Sequence, residues 1–492
     1  VNKKVSVIGG GLGGMAAALR ARAKGYDVDI YCQCPMLGGR AQVYSKDGYI
    51  FDAGPTVITA PFLLEELFQL FDRQLKDYVT LVPIEPWYRF LYPDGMVFNY
   101  GGSLDVLLAE ISRISPEDKD NYLQLLAHSK EIYEVGFEQL ADHPFHQFTQ
   151  MVKVIPSLIR LKSYKSVWQW VSKFIKHPAL RQAFSIQPLL VGGNPVETTS
   201  IYSLIHYLER KWGVHYVMGG TGLLIEAMAI LMKEVGIKIH LNCSVEHINI
   251  VDKQVRSIVL QTGEHVDCDV VISNADPLYL YRYMIAAKHQ PFVSKWKTAV
   301  SKPSMGLFVW YFGTKKQYTE VPHHTIIMGD DYKRLLADIF NKKVLSNDIA
   351  MYLHRPTATD PSMAPAGHDT FYCLCPVPNL ISGIDWQKQS GPFIKRMITK
   401  LEETCLPGLS EELTVSISKS PMDFKTDYNA FQGSGFSVAP LFYQSAWFRH
   451  HNKAEGIHGL YLVGAGTHPG AGIPGVLSSA KLLEKLLPQV AI

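Results

Sequence analysis

Val5-Ser6-Val7-Ile8-Gly9-Gly10-Gly11-Leu12-Gly13-Gly14-Met15-Ala16-Ala17-Ala18-Leu19 is an apolar run, a glycine turn and an alanine-rich stretch in succession. Residues 5–8 predict a strand. Residues 15–24 predict a helix that Gly25 ends, and Val28-Asp29-Ile30-Tyr31 predicts the next strand. The turn carries Gly9-x-Gly11-x-x-Gly14. The first glycine permits a tight turn, the second lets the backbone approach a pyrophosphate, and the third allows close helix–strand packing. Free N–H groups at the helix start favour a diphosphate. Such units usually carry an acidic residue about 20 positions on, for ribose hydroxyls. Here the second strand ends in Cys32, followed by Gln33 and Cys34, and a thiol is a weak acceptor. Gln33 and backbone groups are the substitutes within reach.

Working outward, Leu37-Gly38-Gly39-Arg40-Ala41 and Phe51-Asp52-Ala53-Gly54-Pro55-Thr56 follow. Paired glycines let the backbone crowd a flat or charged group, and a guanidinium at Arg40 suits a phosphate. At the far end, Gly464-Ala465-Gly466-Thr467-His468-Pro469-Gly470-Ala471-Gly472-Ile473-Pro474-Gly475 lies between an apolar strand, 460–463, and a helix expected from about 476. Its small residues make a backbone-lined surface that a planar ring can approach. The helix start places partial positive charge beside it. Two strand–turn–helix units at opposite ends of the chain, serving one ligand, predict a discontinuous domain.

Between them, 61–77 and 103–140 predict helix, and 78–100 predicts strands with a turn at Asp94-Gly95. Residues 143–196 hold Lys153, Arg160, Lys162, Lys165, Lys173, Lys176 and Arg181 and no acid, interleaved with Tyr164, Trp168, Trp170 and Phe174. A helix over 200–212 and another after Gly219-Gly220-Thr221-Gly222 precede strands at 238–241, 245–249, 255–260 and 270–273. Strands at 304–313 and 370–377 and a helix at 391–404 complete the pattern.

At 492 residues the chain suggests two to four domains. A net charge of +3 gives no electrostatic case for nucleic acid, and 11% aromatic residues argue against disorder. The seven cysteines include no Cys-x-x-Cys pair, so neither a zinc ribbon nor a disulfide framework is expected, and a reducing compartment fits best. The first residues run straight into a strand pattern rather than a secretory leader. No stretch reaches the ~18 apolar residues of a membrane span. No metal-ligating or Ser-His-Asp pattern is evident.

Taken together, the turn 9–14, Gly38-Gly39-Arg40-Ala41, Asp52-Ala53-Gly54-Pro55-Thr56 and the segment 460–475 resemble the bacterial-type phytoene desaturases. These are FAD-dependent carotenoid desaturases of the amine-oxidase-like flavoprotein superfamily. Leu189-Leu190-Val191-Gly192-Gly193-Asn194-Pro195, Ser273-Asn274-Ala275-Asp276, His323-His324-Thr325 and Ser445-Ala446-Trp447-Phe448 extend the resemblance along the chain. The chain departs from that pattern at Cys32, where the family has Glu.

The resemblance implies an α/β fold: a Rossmann-like FAD-binding domain with a mixed-sheet substrate domain and a helical membrane-docking lid. The FAD domain is expected from 1–100, 214–285 and 425–492, the lid from 101–213 and the substrate domain from 286–424. Expected FAD contacts are Gly9, Gly11, Gly14, Gly39, Arg40, Gly54, Pro55, Val245, Gly466, Gly472 and Ile473. Val245 is carried over from the superfamily strand that brackets the adenine. No catalytic base is identified, and His468 is its candidate. The implied partners are a carotenoid, an electron acceptor (oxygen or quinone) and, through the basic segment 143–196, the inner face of the cell membrane, approached peripherally from the cytoplasm. Phytoene or a later carotene is the expected substrate. The alternatives are 3,4-desaturation of a hydroxylated or monocyclic, γ-carotene-type carotenoid, or carotenoid isomerisation. Outside the class stand a soluble amine oxidase and a non-enzymatic carrier of prenyl or other lipid groups. The 143–196 segment argues against the first, and the intact C-terminal signature against the second.

Overall fold

The computed structural model describes residues 3–141, 143–146 and 148–490. Its organising element is a five-stranded, wholly parallel sheet in the order Leu460–Leu462, Val270–Ser273, Lys4–Ile8, Asp27–Tyr31, Lys238–His240. Strands more than 450 residues apart in sequence are thus only two positions apart in the sheet. The helix Leu12–Ala23 is buried along residues 12–21. It has no polar face because the sheet lies on one side and the helix Ile473–Lys481 on the other. Alanines at 16, 17 and 18 allow that close approach. An antiparallel meander, Val245–Val251, Gln254–Leu260 and His265–Asp267, covers part of the sheet.

The second sheet has seven strands in the order Leu413–Lys419, Gly306–Thr314, Asp369–Val377, Met351–His354, His324–Ile327, Tyr88–Leu91, Val97–Tyr100. It is mixed: His324–Ile327 runs parallel to Tyr88–Leu91 and every other pair is antiparallel. Residues 88–100 therefore extend the sheet whose other five strands come from 306–419. The strand Gly306–Thr314 is buried along its whole length, and its two faces have different partners. Phe308, Trp310 and Phe312 pack with Trp386, Phe393, Met397 and Leu401 of the helix Trp386–Thr404. Leu307, Val309 and Tyr311 turn toward Tyr49, Phe51 and Ala53. The Tyr311 hydroxyl donates to the Ala53 carbonyl at 2.9 Å. This contact sets the second sheet against the loop that carries Gly54 and Pro55.

Helices Leu104–Ile114, Asp118–Tyr133, Val167–Phe174, Pro178–Phe184 and Leu204–Trp212 pack over the edge of this sheet, and the helix Phe148–Arg160 lies against the segment 446–448. Buried Asp118 accepts from the backbone N–H groups of Lys176 and His177, both at 2.8 Å. Two expected helices differ in extent. The 61–77 helix stops at Gln69, and Asp72 takes a left-handed φ of 56°. The last helix starts at Ile473 rather than 476, because Gly472 at φ 90° turns the chain and Pro474 fits the first turn. Among the described residues no helix is long and apolar enough to cross a membrane.

Candidate active site

The two glycine turns close on one another. The Gly9 N–H donates to the Tyr31 carbonyl at 2.8 Å, and the Gly38 N–H to the Gly10 carbonyl at 2.7 Å. A Cβ on Gly14 would fall on the Gly9 carbonyl oxygen, so Gly14 serves packing between helix and strand. A Cβ on Gly39 would lie 3.2 Å from the Gly11 Cα, and one on Gly13 would lie 3.2 Å from the Gly464 Cα. Asn274 sits at this junction: its side-chain oxygen is where a Cβ on either Gly13 or Gly464 would have to go, 2.5 Å away in both cases.

Between these loops lies a cavity of about 530 Å³, the size of cofactor and ligand sites. Gly9, Gly11, Gly39, Arg40, Gly54, Pro55, Val245, Gly472 and Ile473 all line it. Gly14 and Gly466 do not; Gly466 is instead packed against Pro277 and Ser437. The cavity continues past Thr56 and Tyr352 to Tyr88 and Glu209, and to Met151 and Leu158 of the helix Phe148–Arg160.

Its electrostatics suit an anion at the glycine end. The helices starting at Leu12 and Ile473 both have glycine N-caps with no side-chain cap and no acid in the first turn. Their N-terminal N–H groups and dipoles are therefore available to a ligand. Arg40 is half-buried, and burial pulls its pKa down. Its Nη2 donates only a long bond, 3.4 Å, to the Ser434 carbonyl, and its Nε has no partner. A half-buried guanidinium with an unused donor, beside two uncapped helix starts, fits a diphosphate. Gln33 is committed elsewhere: it donates to the Asp427 carbonyl and accepts from the Asn429 amide, each at 2.7 Å. Its amide is thus occupied by protein at the place where a ribose contact was sought. Asp427 and Asn429 themselves line the cavity.

The far end is apolar with one carboxyl. Glu209 accepts from the Tyr88 hydroxyl at 2.9 Å through Oε1, while Oε2 has no partner. Burial pushes its pKa up to about 7. His468 also lines the cavity. Its Nε2 is bonded to the Leu140 carbonyl at 3.0 Å, its Nδ1 has no hydrogen-bond partner, and burial lowers its pKa to about 4. Glu209 carries no motif in the sequence, and Asn274 is marked there only by the family-like segment Ser273-Asn274-Ala275-Asp276. Their roles come from tertiary placement: one isolated acid under the lid helices, and one amide where three strands end.

The family profile of flavin-containing amine oxidoreductases matches residues 12–482. The chain belongs to this family. It is 44% identical over 488 residues to a lycopene-forming phytoene desaturase of Pseudescherichia vulneris, covering 99% of both chains. It is 41% identical to a neurosporene-forming phytoene desaturase of Rhodobacter capsulatus, covering 98% of this chain and 93% of the relative. The fold matches that of an oxidoreductase from Methanosarcina mazei with a TM-score of 0.67 at 18% identity, over 98% of this chain and all of that one. It matches putrescine oxidase bound to putrescine with a TM-score of 0.66 at 11% identity, over 99% and 98%. The protein is an FAD-dependent oxidoreductase of the carotenoid desaturase kind, and the residues around the cavity fit that cofactor. Its diphosphate would be held by the turn 9–14, the start of the helix at Ile473, and Arg40.

Proposed function

We propose that this protein desaturates phytoene that it draws from a membrane. The observation that carries the reading is the continuity of the cavity. One space runs from the diphosphate-binding turn to the inner face of the helix Phe148–Arg160. That helix is apolar on both sides. Met151 and Leu158 line the cavity, while Val152 and Ile159 are 50% and 61% exposed. Lys153 and Arg160 flank them and Lys162 follows, all exposed. An apolar face rimmed by Lys and Arg suits the headgroup layer of an anionic membrane. Phe442 both lines the cavity and reaches the surface, which marks a mouth. On this reading, 1–100, 214–285 and 425–492 form the FAD domain, 101–213 the lid and 286–424 the substrate domain, with the strands of 88–100 lending their edge to the last.

When bound, FAD would supply the hydride acceptor for this reaction, with oxygen or a quinone as its reoxidant. The chain's own residues bury the polyene, exclude water and hold the proton lost from the neighbouring carbon. We assign that proton to Glu209 Oε2, the unpartnered carboxylate oxygen at the apolar end, rather than to His468. A carboxylate accepts a proton only when ionised. With its pKa raised to about 7, kcat should fall about tenfold per unit as pH drops below that value. Glu209→Gln should cost roughly a hundredfold in kcat and flatten that limb of the profile. An unchanged profile in the variant would remove Glu209 from the role.

The deciding experiment is product analysis on liposomes, carrying phytoene in one set and a hydroxylated monocyclic carotene in the other. Conversion of phytoene to longer-wavelength polyenes is expected. Conversion of the second substrate alone would make the protein a late 3,4-desaturase. Replacing Lys162, Lys165 and Lys173 by Glu should weaken sedimentation with anionic liposomes; unchanged sedimentation would remove the docking surface.

A further inference from the structure

A row of hydroxyls and imidazoles crosses the second sheet from the cavity toward solvent. Thr56 and Tyr352 line the cavity. Thr56 Oγ1 and the Tyr352 hydroxyl are 2.6 Å apart, and that hydroxyl is 2.7 Å from His324 Nδ1. On the other side His323 Nδ1 is 2.6 Å from Thr359 Oγ1, where the backbone reaches partial exposure beside exposed Ala358. His354 completes the middle. The three imidazoles are at most 3% exposed, with ring centroids 4.5, 4.7 and 5.4 Å apart and ring nitrogens within 4.8 Å of one another. Nε2 of His323, Nε2 of His324 and Nδ1 of His354 have no hydrogen-bond partner, and Nε2 of His354 faces Oδ2 of buried Asp52 at 3.5 Å.

Buried polar atoms are nearly always satisfied, so this concentration requires an explanation. Two hydrogen bonds of about 2.8 Å meeting at one water span about 4.6 Å, so a single bridge can join nitrogens that lie within 4.8 Å of one another. Such bridges would join the three rings into one hydrogen-bonded chain. We propose that Thr56, Tyr352, His324, His354, His323 and Thr359 form a proton relay that carries the proton released by desaturation out of the cavity.

This rests on the desaturase reading. In each turnover one C–H bond breaks with its electron pair leaving as hydride to FAD. On the neighbouring carbon the C–H pair becomes the new double bond and the hydrogen leaves as a proton. The proton that Glu209 accepts crosses the cavity to Thr56, and Tyr352 takes one from Thr56 as it passes its own to His324 Nδ1. His324 releases the one on Nε2 toward His354 and His323, and one proton emerges at Thr359. Each ring ends in its other tautomer, and no net charge stays behind. Burial and mutual repulsion hold His323 and His324 well below the usual histidine range, so no link retains the proton. Glu209 shares this wall, because its donor Tyr88 packs 5.9 Å, ring to ring, from His324.

The test uses untagged holoenzyme on phytoene liposomes in H2O and D2O. Thr359→Val, at a partly exposed site, should lower kcat roughly tenfold and raise the solvent isotope effect. KM, FAD content and melting temperature should stay unchanged, and Thr359→Ser should restore the rate. Tyr352→Phe should cost about a hundredfold in kcat. If both variants turn over like the wild type with the same isotope effect, the relay is overturned and the desaturase reading stands. About one equivalent of tightly held transition metal per chain would also overturn it, by making the imidazoles ligands. A wild type inert toward every carotenoid would overturn the desaturase reading and the relay together.

Discussion

The two glycine turns that meet at the cavity are held by different means. The N-terminal turn is backbone against backbone. Gly9 bonds to the next strand, Gly38 to Gly10, and Gly14 lies against the Gly9 carbonyl. The C-terminal loop is held by side chains from outside it. Buried Arg449 donates to the Thr467, Ala465 and Val438 carbonyls at 2.9, 2.6 and 3.1 Å. The Asn452 amide donates to the His468 and Leu462 carbonyls at 3.0 and 3.3 Å, and Ser479 Oγ accepts from the Gly464 N–H at 2.8 Å. The first turn is therefore held by main chain up to 28 positions away. The second is held by side chains up to 18 positions away.

The largest effect expected from this contrast is at Gly14. An alanine there meets a carbonyl oxygen in the best-packed part of the molecule, where neither partner can rotate away. Gly14→Ala should cost more than about 3 kcal/mol and yield little folded, FAD-loaded protein. A yellow variant melting within about 2 °C of the wild type would show that the turn is more compliant than its contacts imply.

Arg449→Met comes next. It removes three bonds from a charged donor, offset by relief from burying the guanidinium, for a net loss of about 2–3 kcal/mol. The damage should be confined to one turn. Hydrogen exchange should accelerate at the amides of 464–470 and stay slow at those of 9–14. Equal acceleration in both would mean that the turns are one unit and that the distinction between them does not hold.

The same contrast explains what the sequence made legible. The turn 9–14 was readable because spacing alone specifies it. So was the meeting of the chain ends, because strands 4–8 and 460–462 are short, apolar and each followed by glycine. Arg40 was readable as a cavity residue because it follows the paired glycines 38–39, and Gly54 and Pro55 through the family-like segment 52–56. Gly466 was read as a wall of the cavity because it belongs to the glycine run, yet it packs behind the wall on Pro277 and Ser437. Composition could not tell a glycine that faces ligand from one that faces protein. Glu209, Arg449, Tyr352, His354 and Thr359 were not legible, and Asn274, Thr56, His323 and His324 were legible only as members of the family-like segments. The function of each depends on which distant strand lies beside it. The seven-stranded sheet shows the same limit: strands 88–91 and 97–100 join it only through a parallel pairing with 324–327, more than 200 residues on.

The smallest effect, and the sharpest separation of the two turns, should come from single methyl groups placed on their cavity-lining glycines. Gly472 has φ 90° and ψ 155° at the start of the last helix. An added Cβ would meet only Val191 at 3.4 Å and Pro474 at 3.9 Å, which is ordinary contact. The cost of Gly472→Ala is therefore backbone strain, about 1–3 kcal/mol, and it should register chiefly as a lower melting temperature of the FAD-free protein. Gly11 has the opposite balance. Its φ of −75° suits any residue, and its Cβ would press only on the Asn274 amide at 3.0 Å. Gly11→Ala should leave the FAD-free protein near wild-type stability and weaken FAD binding, because the methyl occupies the wall where the diphosphate must come close. The pair is read by melting with and without added FAD. If Gly472→Ala loses the flavin while Gly11→Ala loses only stability, the diphosphate rests on the C-terminal loop alone, and the turn 9–14 drops out of its binding site.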